Sequence, residues 1–291
     1  MNRPHIEGEG VHVDESDYYE DGHGIDGNIP NHKNNEGRIY HQRHGKKDKR
    51  GNLAPSGMVQ AIESGLGREP HDVTNIKVSG SEIERTKVTA ALAAAGMAEK
   101  SEAAGRPVRV GKARTKEGMS FKPFSDAAYA QAVEVEKAGK DSSHWYWKEH
   151  REHGFDKDTI SGQEMADRTA HDIYGEIKMI GRLNDGSKVA LENASHTMPI
   201  EMFIAEAFGD EIEKDSVDPE GEDLYMRMGG SFKAAEDYEI TAKTDETGRL
   251  TAVMQLRGKE YRVNLRKLRE MSERHVERER QKRDAVVETP A

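Results

Sequence analysis

Residues 238–265 read Tyr238-Glu-Ile240-Thr-Ala242-Lys-Thr-Asp245-Glu-Thr-Gly248-Arg-Leu250-Thr-Ala252-Val-Met254-Gln-Leu256-Arg-Gly-Lys-Glu260-Tyr261-Arg-Val263-Asn-Leu265. Tyr238, Ile240 and Ala242 alternate with polar neighbours, and Leu250, Ala252, Met254 and Leu256 do the same beyond Asp245–Gly248. A period of two is the mark of a strand with one buried face, and the intervening segment has turn chemistry. Arg257-Gly258-Lys259-Glu260 supplies a second turn, after which Tyr261, Val263 and Leu265 complete an antiparallel meander. One face of that sheet needs cover. The stretch 199–208, carrying Met202, Phe203, Ala205, Ala207 and Phe208, is the helix that would give it.

The meander runs into a charged helix, where Arg266, Lys267, Arg269, Arg274 and Arg278 interleave with Glu270, Glu273 and Glu277. Leu265, Leu268, Met271 and Val276 give this helix a narrow apolar stripe for docking. Upstream, Glu176–Leu183 and Lys188–Leu191 flank Asn184-Asp185-Gly186 and read as a hairpin. Between residues 55 and 174 the pattern is mainly helical. Ser56, Ser81, Ser125 and Ser161 stand as N-caps, the second and fourth with Glu84 and Glu164 at capping-box spacing. Val73–Val78 and Pro107–Val110 read as short strands.

The fold class expected is therefore α+β, in four parts. Residues 1–54 form an extended polar arm, 55–174 a mainly helical region, 175–268 a small antiparallel β domain with a packed helix, and 269–291 a basic helical tail. The arm is assigned because glycine, asparagine and proline interrupt any apolar period up to Leu53. Of the 291 residues 34% are hydrophobic and 34% charged, and the net charge is −10. With so little apolar surface, ordering at about 1–2 kcal/mol per residue is hard to offset along the whole chain. Both ends are expected to order only against a partner.

Charge is segregated. Residues 1–29 carry eight acids against Arg3, whereas 33–50 reverse the sign with Lys33, Arg38, Arg43, Lys46, Lys47, Lys49 and Arg50. The absence of cysteine excludes disulfides and thiolate sites. No apolar run approaches the roughly 20 residues of a membrane span, and residues 1–5 lead into no secretory core. A cytoplasmic or virion location, with no membrane partner, is the expectation.

The candidate site residues fall in two places. Trp145, Tyr146 and Trp147, in a polar setting, are read as anchors of a protein interface, together with the cations Arg266, Arg269 and Arg274. The same segment also offers His150 and His153 at i,i+3, which with His171 could hold a metal ion, although the HExxH arrangement is absent. Near the amino terminus His5, His12, His23, His32, Asn35, His41 and His44 suggest a loose metal-dependent nuclease, without the hairpin-and-helix frame such a site needs. There is no P-loop, no nucleophile elbow and no strand-borne Gly-x-Gly-x-x-Gly.

The sequence texture is similar to phage virion and assembly components: acidic body, polar arms, basic helical tail. The function expected is a non-enzymatic structural protein, without cofactor, that binds copies of itself or other subunits in a larger assembly. The alternative is a metal-dependent hydrolase or nuclease using the histidine cluster, and nucleic-acid binding by the basic tail is the weaker third reading, since acids interleave with its cations.

Overall fold

The structure is a computed structural model describing residues 18–20, 31–68, 72–214 and 224–287. Among the described residues the chain forms nine strands and eight α-helices in a mixed α/β fold. The strands are β1 (Tyr19–Glu20), β2 (Glu36–Arg43), β3 (Asn75–Gly80), β4 (Arg109–Val110), β5 (Arg114–Thr115), β6 (Lys188–Ser195), β7 (Asp237–Thr244), β8 (Leu250–Leu256) and β9 (Lys259–Arg262). The helices are α1 (Pro55–Gly67), α2 (Glu84–Ala103), α3 (Asp126–Lys137), α4 (Ser142–His150), α5 (Gly162–Gly181), α6 (Thr197–Lys214), α7 (Leu224–Arg227) and α8 (Leu265–Val287).

All nine strands belong to one sheet, in the order β1–β8–β7–β2–β6–β3–β4, with β9 on β8 and β5 on β3. The expected meander is there: β7 pairs antiparallel with β8 and β8 with β9. Its partner was not foreseen. β7 also pairs antiparallel with β2, which lies inside the stretch read as an arm. The correction has a physical cause. Strand β2 is buried on both faces, and polar residues hide that burial in the sequence. His41 bonds to the Tyr238 hydroxyl at 2.8 Å, and Gln42 donates to Glu192 at 2.6 Å. Each of these two side chains makes a buried hydrogen bond, so a strand with few aliphatic residues survives in the middle of the sheet.

A second correction concerns residues 176–191. These form no hairpin: α5 continues to Gly181, with Ile173, Ile177 and Ile180 on one buried face, and β6 runs parallel to both β2 and β3. The Asn184–Gly186 turn joins a helix to a strand. Two of the expected caps also move. Helix α1 starts at Pro55 after Ala54, and α2 starts at Glu84 after Ile83, so Ser56 and Ser81 cap neither. Ser125 and Ser161 do cap, accepting from Ala128 N and Glu164 N.

Alternation along the strands builds two cores. Ile39, Leu191, Tyr238, Ile240 and Met254 face α5, α6 and α8, where Phe203, Phe208 and Ile173 are fully buried. Tyr40, Ile76, Val78 and Ala190 face the alanine-rich side of α2. A fully buried side chain of this size stabilises by about 1.5–3 kcal/mol, so concentrating such residues on these faces allows a polar chain to fold. Helix α6 covers the meander as expected, with the Phe203 and Tyr238 rings stacked 5.9 Å apart. Helix α8 docks through Leu265, Leu268 and Met271, so the tail is ordered against its own body. Among the described residues no helix is long and apolar enough to cross a membrane.

Candidate active site

Strands β2, β6 and β3 are parallel neighbours that end at one level, since Arg43 lies opposite Ser195 and Gly80 opposite Ala194. The next residue on each strand is therefore His44, His196 or, beyond Gly80, Ser81. The crevice outside the carboxyl ends of parallel strands is where α/β sheets bind ligands. Helix α6 starts at Thr197, directly after His196, and α2 starts three residues after Ser81. Two helix amino termini, each with a positive dipole end, thus adjoin the crevice.

The imidazoles of His44 and His196 lie with ring centroids 5.2 Å apart at 72°. Both are buried. His44 Nδ1 lies 2.7 Å from the Gly45 carbonyl oxygen and donates to it, which leaves Nε2 as the basic atom. His196 Nε2 lies 3.2 Å from Ser81 Oγ, and Phe121 packs edge-on against its ring at 4.8 Å. The glycine after His44 is required by close approach: a Cβ there would sit 2.4 Å from the Gly57 carbonyl oxygen of α1.

Arg43 and Arg85 stand beside this pair. Arg43 donates to the Phe232 carbonyl, and Arg85 Nη1 donates to the Gly51 carbonyl at 3.1 Å. Among the described residues neither has a carboxylate partner, and both keep a buried Nε with no hydrogen bond. Burial lowers the pKa of Arg85. Burial also pushes His44 down to about 4, helped by Arg85, Arg43 and Lys47 and opposed by the Gly45 carbonyl. His196 is held well below its ordinary range by burial, then by His44 and the same cations. The crevice is therefore a neutral imidazole pair in a positive field with unpartnered donors. It suits a multiply charged oxyanion.

One carboxylate stands at the rim. Glu82 follows Ser81, is exposed, and accepts from Ser120 Oγ at 2.9 Å, next to Phe121.

The residues singled out from sequence lie elsewhere. Tyr146 is fully buried and donates to the Ile160 carbonyl, Trp145 Nε1 donates to Glu149 at 2.8 Å, and Arg151 stacks over Trp147 at 4.7 Å. These are contacts within the molecule. Arg266 and Arg269 pair with Glu270 and Glu273 on their own helix, and Arg274 grips Asp167 at 2.6 and 3.0 Å. His150 packs among Trp145, Tyr146 and Phe155, while His171 bonds to Ser272 at 2.9 Å and faces His275. The alternative cluster of His150, His153 and His171 is not brought together, and among the described residues no three acidic or histidine side chains converge on a metal position. Of the amino-terminal set, His5, His12 and His23 lie outside the described residues. His32 binds Asp185, Asn35 caps the end of α5, and His41 serves the core. Of the described members only His44 reaches the crevice. Arg43 stood out only as one cation of the basic segment 33–50, and Arg85 and His196 not at all; the signal available was a histidine placed at a strand-to-helix junction, His196 before Thr197.

No family model matches the chain, and no characterised protein matches it by sequence. Solved structures show a partial likeness to it. A mycobacterial glucosyl-3-phosphoglycerate phosphatase is 17% identical over 76% of this chain and 98% of its own, with a TM-score of 0.43. Mycobacterial hydrolase 1 is 16% identical over 78% of this chain and 100% of its own, with a TM-score of 0.42. An Entamoeba histolytica phosphoserine phosphatase variant, in complex with phosphoserine, is 14% identical over 80% and 99%, with a TM-score of 0.34. At these TM-scores the likeness carries no argument about activity or substrate. The neighbours named here are phosphatases and a hydrolase, and in this the comparison departs from the expectation of a non-enzymatic structural, assembly or virion component.

Proposed function

We propose that this chain is a phosphomonoesterase working through a phosphorylated histidine. The observation that carries the reading is the His44–His196 pair, 5.2 Å apart beside two guanidinium groups without carboxylate partners. A phosphate monoester has three non-bridging oxygens to satisfy, and Arg43, Arg85 and the two helix amino termini offer donors for them. His44 Nε2, deprotonated at neutral pH, attacks phosphorus. The Nε2–P bond forms as the P–O bond to the alcohol breaks, and the departing oxygen takes its electron pair and needs a proton.

Glu82, at the rim, is the group assigned to give that proton as general acid. Water then attacks the phosphohistidine, the N–P bond breaks, and the electron pair returns to Nε2 as phosphate leaves. The same carboxylate, now ionised, takes the proton from water. His196, close to His44, supports the transferring group, and Ser81 and Phe121 fix its ring. The fixed donors need no reorganisation as charge develops on the phosphoryl group.

The test is turnover of p-nitrophenyl phosphate and a small panel of alkyl phosphates by the full chain. Hydrolysis lost in His44→Ala and His196→Ala, with folding intact by circular dichroism, is expected. Absence of hydrolysis across the panel, or full activity in His44→Ala, would overturn the reading.

A further inference from the structure

A separate cavity of about 420 Å³ opens on the α5 face of the sheet, beside β3. Its lining includes none of His44, His196, Arg43 or Arg85. The volume lies within the range of small-molecule sites. Leu191 and Met179 form apolar wall, and the Lys116–Glu176 pair lies at the polar side. Gly175 marks the opening. It sits inside α5, where glycine costs roughly 1 kcal/mol relative to alanine, yet a Cβ at that position would meet nothing within 4 Å. Helix packing gives no reason for a glycine there. The missing side chain leaves room in the cavity.

Charge at this cavity is one-sided. Lys77, Lys112 and Arg114 are exposed at its edge, and among the described residues neither Lys112 nor Arg114 has an acidic partner. The two acids that line it are engaged: Glu176 with Lys116 and Asn193, and Asp172 by accepting from Gly118 N at 2.9 Å. In a chain of net charge −10 this is a local excess of cations around an apolar hollow.

We infer that this cavity is a second binding site, for an amphipathic anion: an apolar body seated against Leu191 and Met179, with its charged head at Lys77, Lys112 and Arg114. The inference is independent of the reaction assigned to His44. Isothermal titration calorimetry of the full chain with decanoate tests it, with decanol and decyltrimethylammonium as neutral and cationic counterparts. Saturable binding of one decanoate per chain is expected, with the alcohol roughly tenfold weaker and the cation weaker still. Gly175→Leu, which fills the hollow and favours the helix, should abolish binding. The double variant Lys112→Glu/Arg114→Glu, on exposed positions, should weaken it roughly tenfold with an unchanged melting temperature. No saturable binding by the native chain overturns the site, as does equal binding of all three probes. Should Gly175→Leu fail to fold, undiminished affinity in the double variant overturns it by itself.

Discussion

Two groups of cations in this molecule have opposite fates. On α8 the arginines face acids of the same chain: Arg274 and Arg278 both meet the fully buried carboxylate of Asp167, and Lys282 meets Glu164. At the ends of β2 and α2, Arg43 and Arg85 meet only carbonyl oxygens and keep donors in reserve. In sequence the first group is far more conspicuous, because it forms a dense run. A cation signals a binding site by lacking a partner, and density alone says little. A cation already held by a buried carboxylate stabilises the fold. One held by a carbonyl remains free to receive an oxyanion.

The largest effects fall on the histidines. His44→Ala should lower kcat for p-nitrophenyl phosphate by roughly 10⁴-fold or more, the scale seen when a covalent nucleophile is removed. The double variant His150→Ala/His153→Ala should leave it within about twofold, because His150 packs among Tyr146 and Phe155 and His153 is exposed. Comparable losses in both would place the chemistry in the wrong part of the molecule.

The arginines come next. Arg85→Ala should cost about 10²–10³-fold in kcat/KM, as when a donor to developing charge is lost. Arg274→Ala should leave kcat/KM unchanged and instead lower unfolding stability in urea by about 1–2 kcal/mol, since Arg278 still meets Asp167. Glu82→Gln should separate substrates by leaving group. Alkyl phosphates, whose alkoxide needs a proton, should slow by about 10²-fold, and p-nitrophenyl phosphate far less. An equal loss on both would remove Glu82 from the proton-transfer role.

The smallest effect is that of pH. His44 is held near 4 in the folded chain against an ordinary 6.5, so the unfolded chain binds its proton first as acid is added. The stability tied to a neutral His44 is therefore complete above pH 6.5 and is lost as pH falls toward 4. His41, held near 3 by burial, acts in the same direction. Activity should follow: kcat/KM needs neutral His44 and should persist at pH 5, then fall below about pH 4. A decline centred near pH 6.5 that His44 titration explains would contradict the burial of that ring.

How much of this could be read beforehand depended on which physical signal each element carried. β7, β8 and β9 each have one apolar face, so their alternation declared them, and Phe203 and Phe208 declared the helix above. β2 has no such face. Its burial rests on the pairs His41–Tyr238 and Gln42–Glu192, made with residues about 150 to 200 positions away, which no local period encodes. The crevice was hidden for the same reason. His44 and His196 are 152 positions apart and become neighbours only because β6 lies alongside β2. Ser81 shows the other way a local signal can mislead. It has capping-box spacing, but its hydroxyl turns to Ile83 N and His196. The aromatic run at 145–147 stood out by composition, and Tyr146 is core.

The central claim is that His44 carries the phosphoryl group during turnover, and the most direct measurement is to catch it there. The chain would be mixed with p-nitrophenyl phosphate, quenched in alkali within the first turnover, digested and read by mass spectrometry. A phosphoryl group on the peptide containing His44, stable in base and lost in acid, absent from His44→Ala, is the result expected. Turnover with no phosphoryl group on the protein, or with one on another residue, would contradict the account.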